Sequence, residues 1–301
     1  MSIKGFYYFF RAKVIFTNNN EFYRFKSSDQ ILIDFWHGIP IKSILNYDSR
    51  LTNRFRTFAS GTTYRVSSSR FVTILLSSAF GNSPFTYLET GSVRADRLLS
   101  DQGLVFHNIL PSIPVGLKIA LFMPTYRKGY GQRNDGNDYF DTKTLSEMSS
   151  TLLKYGYFLV VKPHPFEEEM WIKKYSNVIT SKVLNTFNYI SCDILSSTDL
   201  LITDYSSVLI DFLLLRRPFI ILNTDYKSYE ENRGFIFDVA DYLKCNTLKN
   251  FNEFDQLLQS VLDNKSPENV EFLIKLFFNN CDIGNAERLT LKLTDLHKDV
   301  F

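Results

Sequence analysis

The strongest constraint in this sequence is a series of short apolar runs, each closed by polar or proline-containing turns. They are Val14–Thr17, Ile31–Phe35, Ile119–Met123, Phe158–Val161, Leu200–Thr203 and Phe219–Leu222. Runs this short and this continuously apolar read as strands buried on both faces. Helix-length stretches separate them: Lys143–Tyr155, Glu167–Tyr175, Ser207–Leu215 and Asn252–Asp263. Strands alternating with helices predict an α/β architecture with mainly parallel sheets. Sheets of that kind take ligands at the C-terminal ends of their strands.

A chain of 301 residues has length for about two domains. The segment Gly103–Lys118 carries Pro111, Pro114 and Gly116 just before a new strand and reads as a linker. This predicts domains at 1–108 and 109–301. The first is short for a full Rossmann-like unit, and the second carries C-terminal helices over Val270–Phe278 and Ala286–Lys298. The glycine-rich polar stretch Gly129–Asp138 reads as a mobile loop. A 45% hydrophobic content excludes a long disordered protein, and a net charge of +2 gives no reason to expect a nucleic-acid partner. Cys192, Cys245 and Cys281 form no CxxC pair, which excludes a disulfide scaffold or a zinc ribbon and fits a reducing, cytoplasmic setting.

No apolar run reaches the roughly 18 residues needed to span a bilayer. Aromatics make up 16% of the chain, and several crowd its start, Gly5–Phe10, before Arg11 and Lys13. Rings at headgroup level with cations towards anionic lipid would suit a membrane interface. The preferred expectation is a first helix whose aromatics pack inward.

Four clusters sit where strands end. In Asp34-Phe-Trp-His-Gly-Ile-Pro-Ile-Lys42, His37 has the ordinary pKa of a general base and Lys42 adds positive charge. Taken alone, His37 is as readily an ordinary strand-end histidine. In Leu121–Arg127, Thr125 can donate a hydrogen bond and Arg127 can grip a phosphate. In Val160–Pro165, Lys162 and His164 stand at a rigid proline-flanked exit, suited to a diphosphate or to developing negative charge. In Asp199–Asp211, the strand ending at Thr203 runs into Asp204-Tyr-Ser-Ser207 and a helix start. There Ser206 and Ser207 could hold an anion or simply cap the helix. Asp211 lies one turn further on.

In this order, WHGIPIK, PTYR, KPHP and TDYSSVLIDFLLLRRP resemble the CDP-glycerol glycerophosphotransferase family, which makes teichoic-acid and capsule polymers. Ser77–Phe80, Glu89–Leu98, Arg233–Asp238 and Asp282–Arg288 resemble further stretches of that family, so the likeness runs over about residues 12 to 290. Val93 stands where the family has proline, Gly284 is displaced by one position, and relatives usually carry more strand–helix units before Val14.

The resemblance implies a GT-B-like fold of two Rossmann-like domains facing a cleft. It implies transfer of glycerol phosphate or ribitol phosphate from a CDP-activated donor to an acceptor hydroxyl, releasing CMP. His37 and His164 match the family's two catalytic histidines. His37 would be general base on the acceptor, and His164 would stabilise charge on the donor diphosphate. Arg127, Lys162, Thr203, Ser206, Ser207 and Asp211 would bind the donor; Lys42 and Arg94 would bind the acceptor. No metal or cofactor beyond the CDP-polyol donor is implied. The other expected partners are a lipid-linked or polymer acceptor and the inner face of the cell membrane, where the protein would be peripheral. A GT-B glycosyltransferase using a nucleotide sugar shares the Ser206 helix start but does not specifically call for both histidine motifs. A non-catalytic nucleotide-binding relative would have no chemical reason to keep them.

Overall fold

The computed structural model describes residues 2–19, 25–48, 63–100, 105–126, 140–264, 268–298 and 300. They fall into two compact units: Met1–Asp96 together with Ile274–Phe301, and Arg97–Leu273.

In the first unit, β1 (Val14–Thr17), β2 (Ile31–Asp34), β3 (Tyr64–Val66) and β4 (Tyr87–Leu88) pair in chain order, all parallel. Helix α2 (Arg70–Phe80) starts where the Ser69 hydroxyl accepts the Val72 N–H at 3.2 Å and stops at Gly81 in the left-handed region. Ile31, Ile33, Val66 and Leu88 pack with Leu289 and Leu293, which lie four residues apart on one face of the helix Asn285–Leu296. That late helix is stitched to α3 (Val93–Leu99). The Asp96 carboxylate accepts N–H bonds from Gly284, Asn285 and Ala286 at 2.8–3.1 Å, plus the Asn285 side chain at 2.6 Å. An aspartate from another element thus satisfies the free donors of a helix start.

The second unit is a five-stranded parallel sheet in the order β6-β5-β7-β8-β9. Its strands are β5 (Lys118–Met123), β6 (Tyr157–Val161), β7 (Leu200–Thr203), β8 (Phe219–Leu222) and β9 (Thr247–Leu248). The helix Thr142–Lys154 covers the sheet through Leu145, Met148 and Leu152, and the helix Phe254–Asp263 through Phe254, Leu258 and Val261. Each fully buried side chain of this kind contributes about 1.5–3 kcal/mol. The chain runs from β5 to β6 on one side, then returns to β7 on the other. The strand order therefore reverses between β5 and β7, which is where doubly wound sheets bind ligands.

Several expectations differ from this arrangement. The division expected at 108/109 lies at 96/97, and the segment expected as linker holds a short helix, Val105–Ile109. The C-terminal stretch from Ile274 belongs to the first unit, because its leucines complete that unit's sheet. The first helix, α1 (Ile3–Arg11), does not pack its aromatics inward: only Phe9 is buried. Gly129–Asp138 lies outside the described residues. No described helix is long and apolar enough to cross a membrane.

Replacing Asp96 by alanine strands three backbone donors at one helix start. The expected loss is about 2 kcal/mol of unfolding free energy, read by urea denaturation.

Candidate active site

In the first unit the site grows out of a buried ion pair at the end of β2. Asp34 and Arg65 are both almost fully buried, with Arg65 Nε 3.0 Å from Asp34 Oδ2. The guanidinium lies over the Phe80 ring, 3.7 Å from its centroid. The other carboxylate oxygen of Asp34 accepts the Trp36 N–H at 3.1 Å, and Trp36 takes a left-handed φ of 51°. That conformation disfavours a non-glycine residue by roughly 1–2 kcal/mol, so the turn needs such an anchor. The turn delivers His37 at the sheet's C-terminal edge, its ring 4.0 Å from that of Trp36.

His37 Nδ1 faces the Asn19 side-chain oxygen at 2.7 Å. With that oxygen as acceptor, Nδ1 carries the proton and Nε2 keeps the lone pair. Crowding by surrounding protein lowers the imidazole pKa, and the Arg94 and Lys42 cations lower it further, although the side chain's outer surface is exposed. Arg94 also donates to the His37 carbonyl at 2.9 Å. A cavity of about 260 Å3 opens here, lined by Asn18, Trp36, Gly38, Ser67, Gly91 and Arg94 among others. It is smaller than the about 300–1,000 Å3 of a drug-sized site, and Phe35, Ile39, Val66, Val72, Leu76 and Val93 make most of its wall apolar. His37, Lys42 and Arg94 are thus brought together in one unit.

In the second unit, β5 and β7 are tied together at the reversal of strand order. The Asp204 carboxylate accepts the Thr125 N–H at 2.9 and 3.1 Å. Thr203 donates its hydroxyl to the Met123 carbonyl at 2.7 Å, so that proton is spent between strands. The Thr125 hydroxyl is buried at this same edge with no hydrogen-bond partner among the described residues. An orphaned donor there is a ready contact for a ligand oxygen.

Ser206 Oγ accepts the Val208 N–H at a long 3.4 Å, whereas Ser207 makes no side-chain cap. Tyr205 anchors the turn from below: it is buried, its hydroxyl sits between Asn223 (2.9 Å) and Asp225 (2.8 Å), and its ring lies on Tyr229. Asp211 is mostly buried within the following helix, Val208–Leu213. His164 Nδ1 accepts the Phe166 N–H at 3.3 Å, leaving Nε2 as the protonated nitrogen, and its ring stacks on Tyr126 at 4.8 Å. Lys162 is buried and turned into the protein, donating to the Pro163 carbonyl at 2.8 Å and pairing with Glu168 at 3.4 Å. Burial lowers its pKa, against the pull of Glu168. Arg127 lies outside the described residues. Among the described residues no group of three or more His, Cys, Asp or Glu side chains could hold a metal ion.

Three contributors escaped the sequence reading: Asn19, which orients His37; Asp34 with Arg65, which holds its turn; and Asp204, which joins β5 to β7. Asn18-Asn-Asn20 at the end of the first strand was a visible turn signal. The other two depend on which strands are neighbours.

Two parallel sheets in two units, each with polar groups at its C-terminal edge, make a GT-B-like α/β fold. The family described as CDP-glycerol:poly(glycerophosphate) glycerophosphotransferase matches residues 1–293, and the chain belongs to it. It is 27% identical over 245 residues to a teichoic acid glycerol-phosphate primase of Bacillus subtilis (strain 168), covering 78% of this chain and 61% of that protein. It is 26% identical over 302 residues to a teichoic acid glycerol-phosphate transferase of Staphylococcus aureus, covering 95% and 76%. A poly(ribitol-phosphate) polymerase of Bacillus spizizenii is 25% identical over 303 residues, 94% of this chain but 46% of that one. The chain therefore spans between about half and three quarters of these relatives. Among solved structures, the wall teichoic acid polymerase TagF soaked with CDPG superposes with a TM-score of 0.77 at 23% identity, over 96% of this chain and 73% of that one.

Replacing Arg65 by methionine removes the buried cation that pairs with the Asp34 carboxylate. The expected loss is about 3–5 kcal/mol of stability, read by denaturant unfolding.

Proposed function

We propose that this protein transfers a polyol phosphate from a CDP-activated donor, CDP-glycerol or CDP-ribitol, to an acceptor hydroxyl, with release of CMP. The observation that carries the reading is His37: an imidazole held in its base form beside the Arg94 and Lys42 cations. Neutral at physiological pH, its Nε2 takes the proton of the acceptor hydroxyl as that oxygen attacks the phosphorus of the polyol phosphate. A new P–O bond forms, the P–O bond to CMP breaks, and CMP leaves as the phosphate monoester. Positioning and charge stabilisation supply most of the catalysis in such a transfer.

Arg94 and Lys42 bind the acceptor's own phosphate in the first unit. In the second, His164 offers its Nε2–H to the donor diphosphate, with Ser206, Ser207 and Arg127 on the same charge. Thr125 supplies a further donor. Asp211 serves the nucleotide side. Thr203 supports this edge from within, because its hydroxyl proton already bonds the Met123 carbonyl, and Lys162, which donates to the Pro163 carbonyl, places positive charge behind the donor diphosphate. The acceptor is a lipid-linked or growing polymer, and the protein works as a peripheral component at the inner face of the cell membrane.

The test is CMP release from CDP-glycerol and CDP-ribitol, with and without a phosphopolyol acceptor. Release with one donor, dependent on acceptor, is expected. His37→Ala is expected to lower kcat about 100- to 10,000-fold while donor binding persists. Acceptor-independent release, or full activity in that variant, overturns the assignment. The pH dependence follows from the lowered His37 pKa: protonation removes the base, so kcat/KM falls as pH drops through an apparent pKa below 6.5. Removing the repelling cation with Arg94→Met moves that acid limb to higher pH.

A further inference from the structure

We infer that Asn19 is the positioning residue of this site: an uncharged amide that selects the tautomer of His37 and so keeps the base usable in mild acid. This deepens the reading of His37 as general base and rests on it. Asn19 leaves the turn after β1 and His37 the turn after β2. The two strands pair in register, with Thr17 opposite Asp34. The Phe35 N–H continues that ladder to the Thr17 carbonyl at 2.8 Å, and the Asn19 N–H reaches the Thr17 hydroxyl at 3.4 Å. Both side chains are therefore set by paired backbone, two and three residues beyond the last matched position.

The contact from Asn19 Oδ1 to His37 Nδ1, 2.7 Å, is at the short end of the hydrogen-bond range. An amide oxygen only accepts, so it pairs with a protonated Nδ1 and leaves the lone pair on Nε2. The Trp36 ring, 4.0 Å from the imidazole, limits its rotation. Asn19 is exposed, so the amide adds little to the stability of the unit. Its effect falls on the ring it touches.

The choice of an amide over a carboxylate matters. Hydrolytic triads usually orient their histidine with an aspartate, and some use asparagine. A carboxylate at Nδ1 would favour the imidazolium, which is useless as a base. The groups around His37 act mostly the other way. Surrounding protein disfavours the charged ring first, then Arg94 from α3; the Asn18 carbonyl from the turn after β1 favours it, and Lys42 further along the His37 segment opposes it again. Asp34, the nearest acidic residue in sequence, is turned to Arg65 and to the Trp36 N–H. Asn19 thus orients the ring without adding the charge that would protonate it.

The experiment compares Asn19→Leu and Asn19→Asp with the unaltered full chain by two readouts. The first is the ring-nitrogen NMR shifts of His37 in protein labelled with 15N-histidine, assigned by their loss in His37→Ala and recorded across pH without substrate. The second is CMP release. In the unaltered chain, Nδ1 protonated and Nε2 bare are expected. Asn19→Leu is expected to mix the two tautomers and lower kcat about 10- to 100-fold, with the donor KM and the melting temperature unchanged. Asn19→Asp is expected to keep the tautomer and most of kcat at high pH. Its charge raises the pKa of the ring, so the acid limb of kcat/KM moves up by about one pH unit. A proton on Nε2 in the unaltered chain, or native shifts and kcat in Asn19→Leu, overturns the proposal. So does an equal loss in both variants with the acid limb unmoved, which would mark a purely structural role. The expected shifts without any CMP release remove the transfer reading and leave the positioning role standing. CMP release lost in His37→Ala but undiminished in Asn19→Leu leaves the transfer reading and overturns this one.

Discussion

Every strand pairing in the two sheets is parallel, and most of the site follows from that constraint. Parallel strands all end at one edge, so whatever chemistry the chain places after its strands collects there. In the first unit this gathers Asn19, His37 and Arg94 from three separate stretches of sequence. In the second it gathers Thr125, His164 and the Ser206–Ser207 turn. The two histidines are presented as complementary tautomers, one offering a lone pair at Nε2 and the other a proton. Both states are set by a hydrogen bond at Nδ1.

Buried charge does the supporting work. The Asp34–Arg65 pair is expensive to desolvate, and replacing it by apolar packing would be no worse for stability in general. What it supplies is a shape: one carboxylate oxygen holds the arginine while the other holds a tryptophan backbone in a left-handed turn. Asp204 does the same service in the second unit by bonding a backbone N–H on the neighbouring strand. In both cases the carboxylate at a strand end fixes backbone position. The side chains that face a ligand come from the residues just after it.

Much of the fold was legible because the strands that carry it are continuous apolar runs. The run Val14–Thr17 and the runs at 200–203 and 219–222 match the observed strands to the residue. Tyr64–Val66, Tyr87–Leu88 and Thr247–Leu248 went unread because two or three residues give no periodicity to detect. The site motifs were legible as strand-end clusters, and the family likeness gave the histidines their roles. Lys162 and Thr203 read as ligand contacts because residue type and position suggest it; only neighbouring strands and carbonyls reveal the bonds that each already makes inside the protein. Asp34 and Arg65 are 31 residues apart, and their partnership exists only once β2 and β3 lie side by side. The first helix was misread for a simpler reason: composition says how many aromatics there are, not which way they point.

The first unit is discontinuous along the chain, and this orders events during synthesis. Its sheet is complete by Leu88, yet the leucines that cover it, Leu289 and Leu293, emerge about two hundred residues later. Arg97–Leu273, by contrast, is one uninterrupted stretch. On a ribosome the later unit can close first, while the earlier sheet stands with one apolar face open to water or to a chaperone. Contacts this distant in sequence close slowly, since a long loop must be drawn shut before any of them forms. The segment that begins the chain is therefore among the last to acquire its native core.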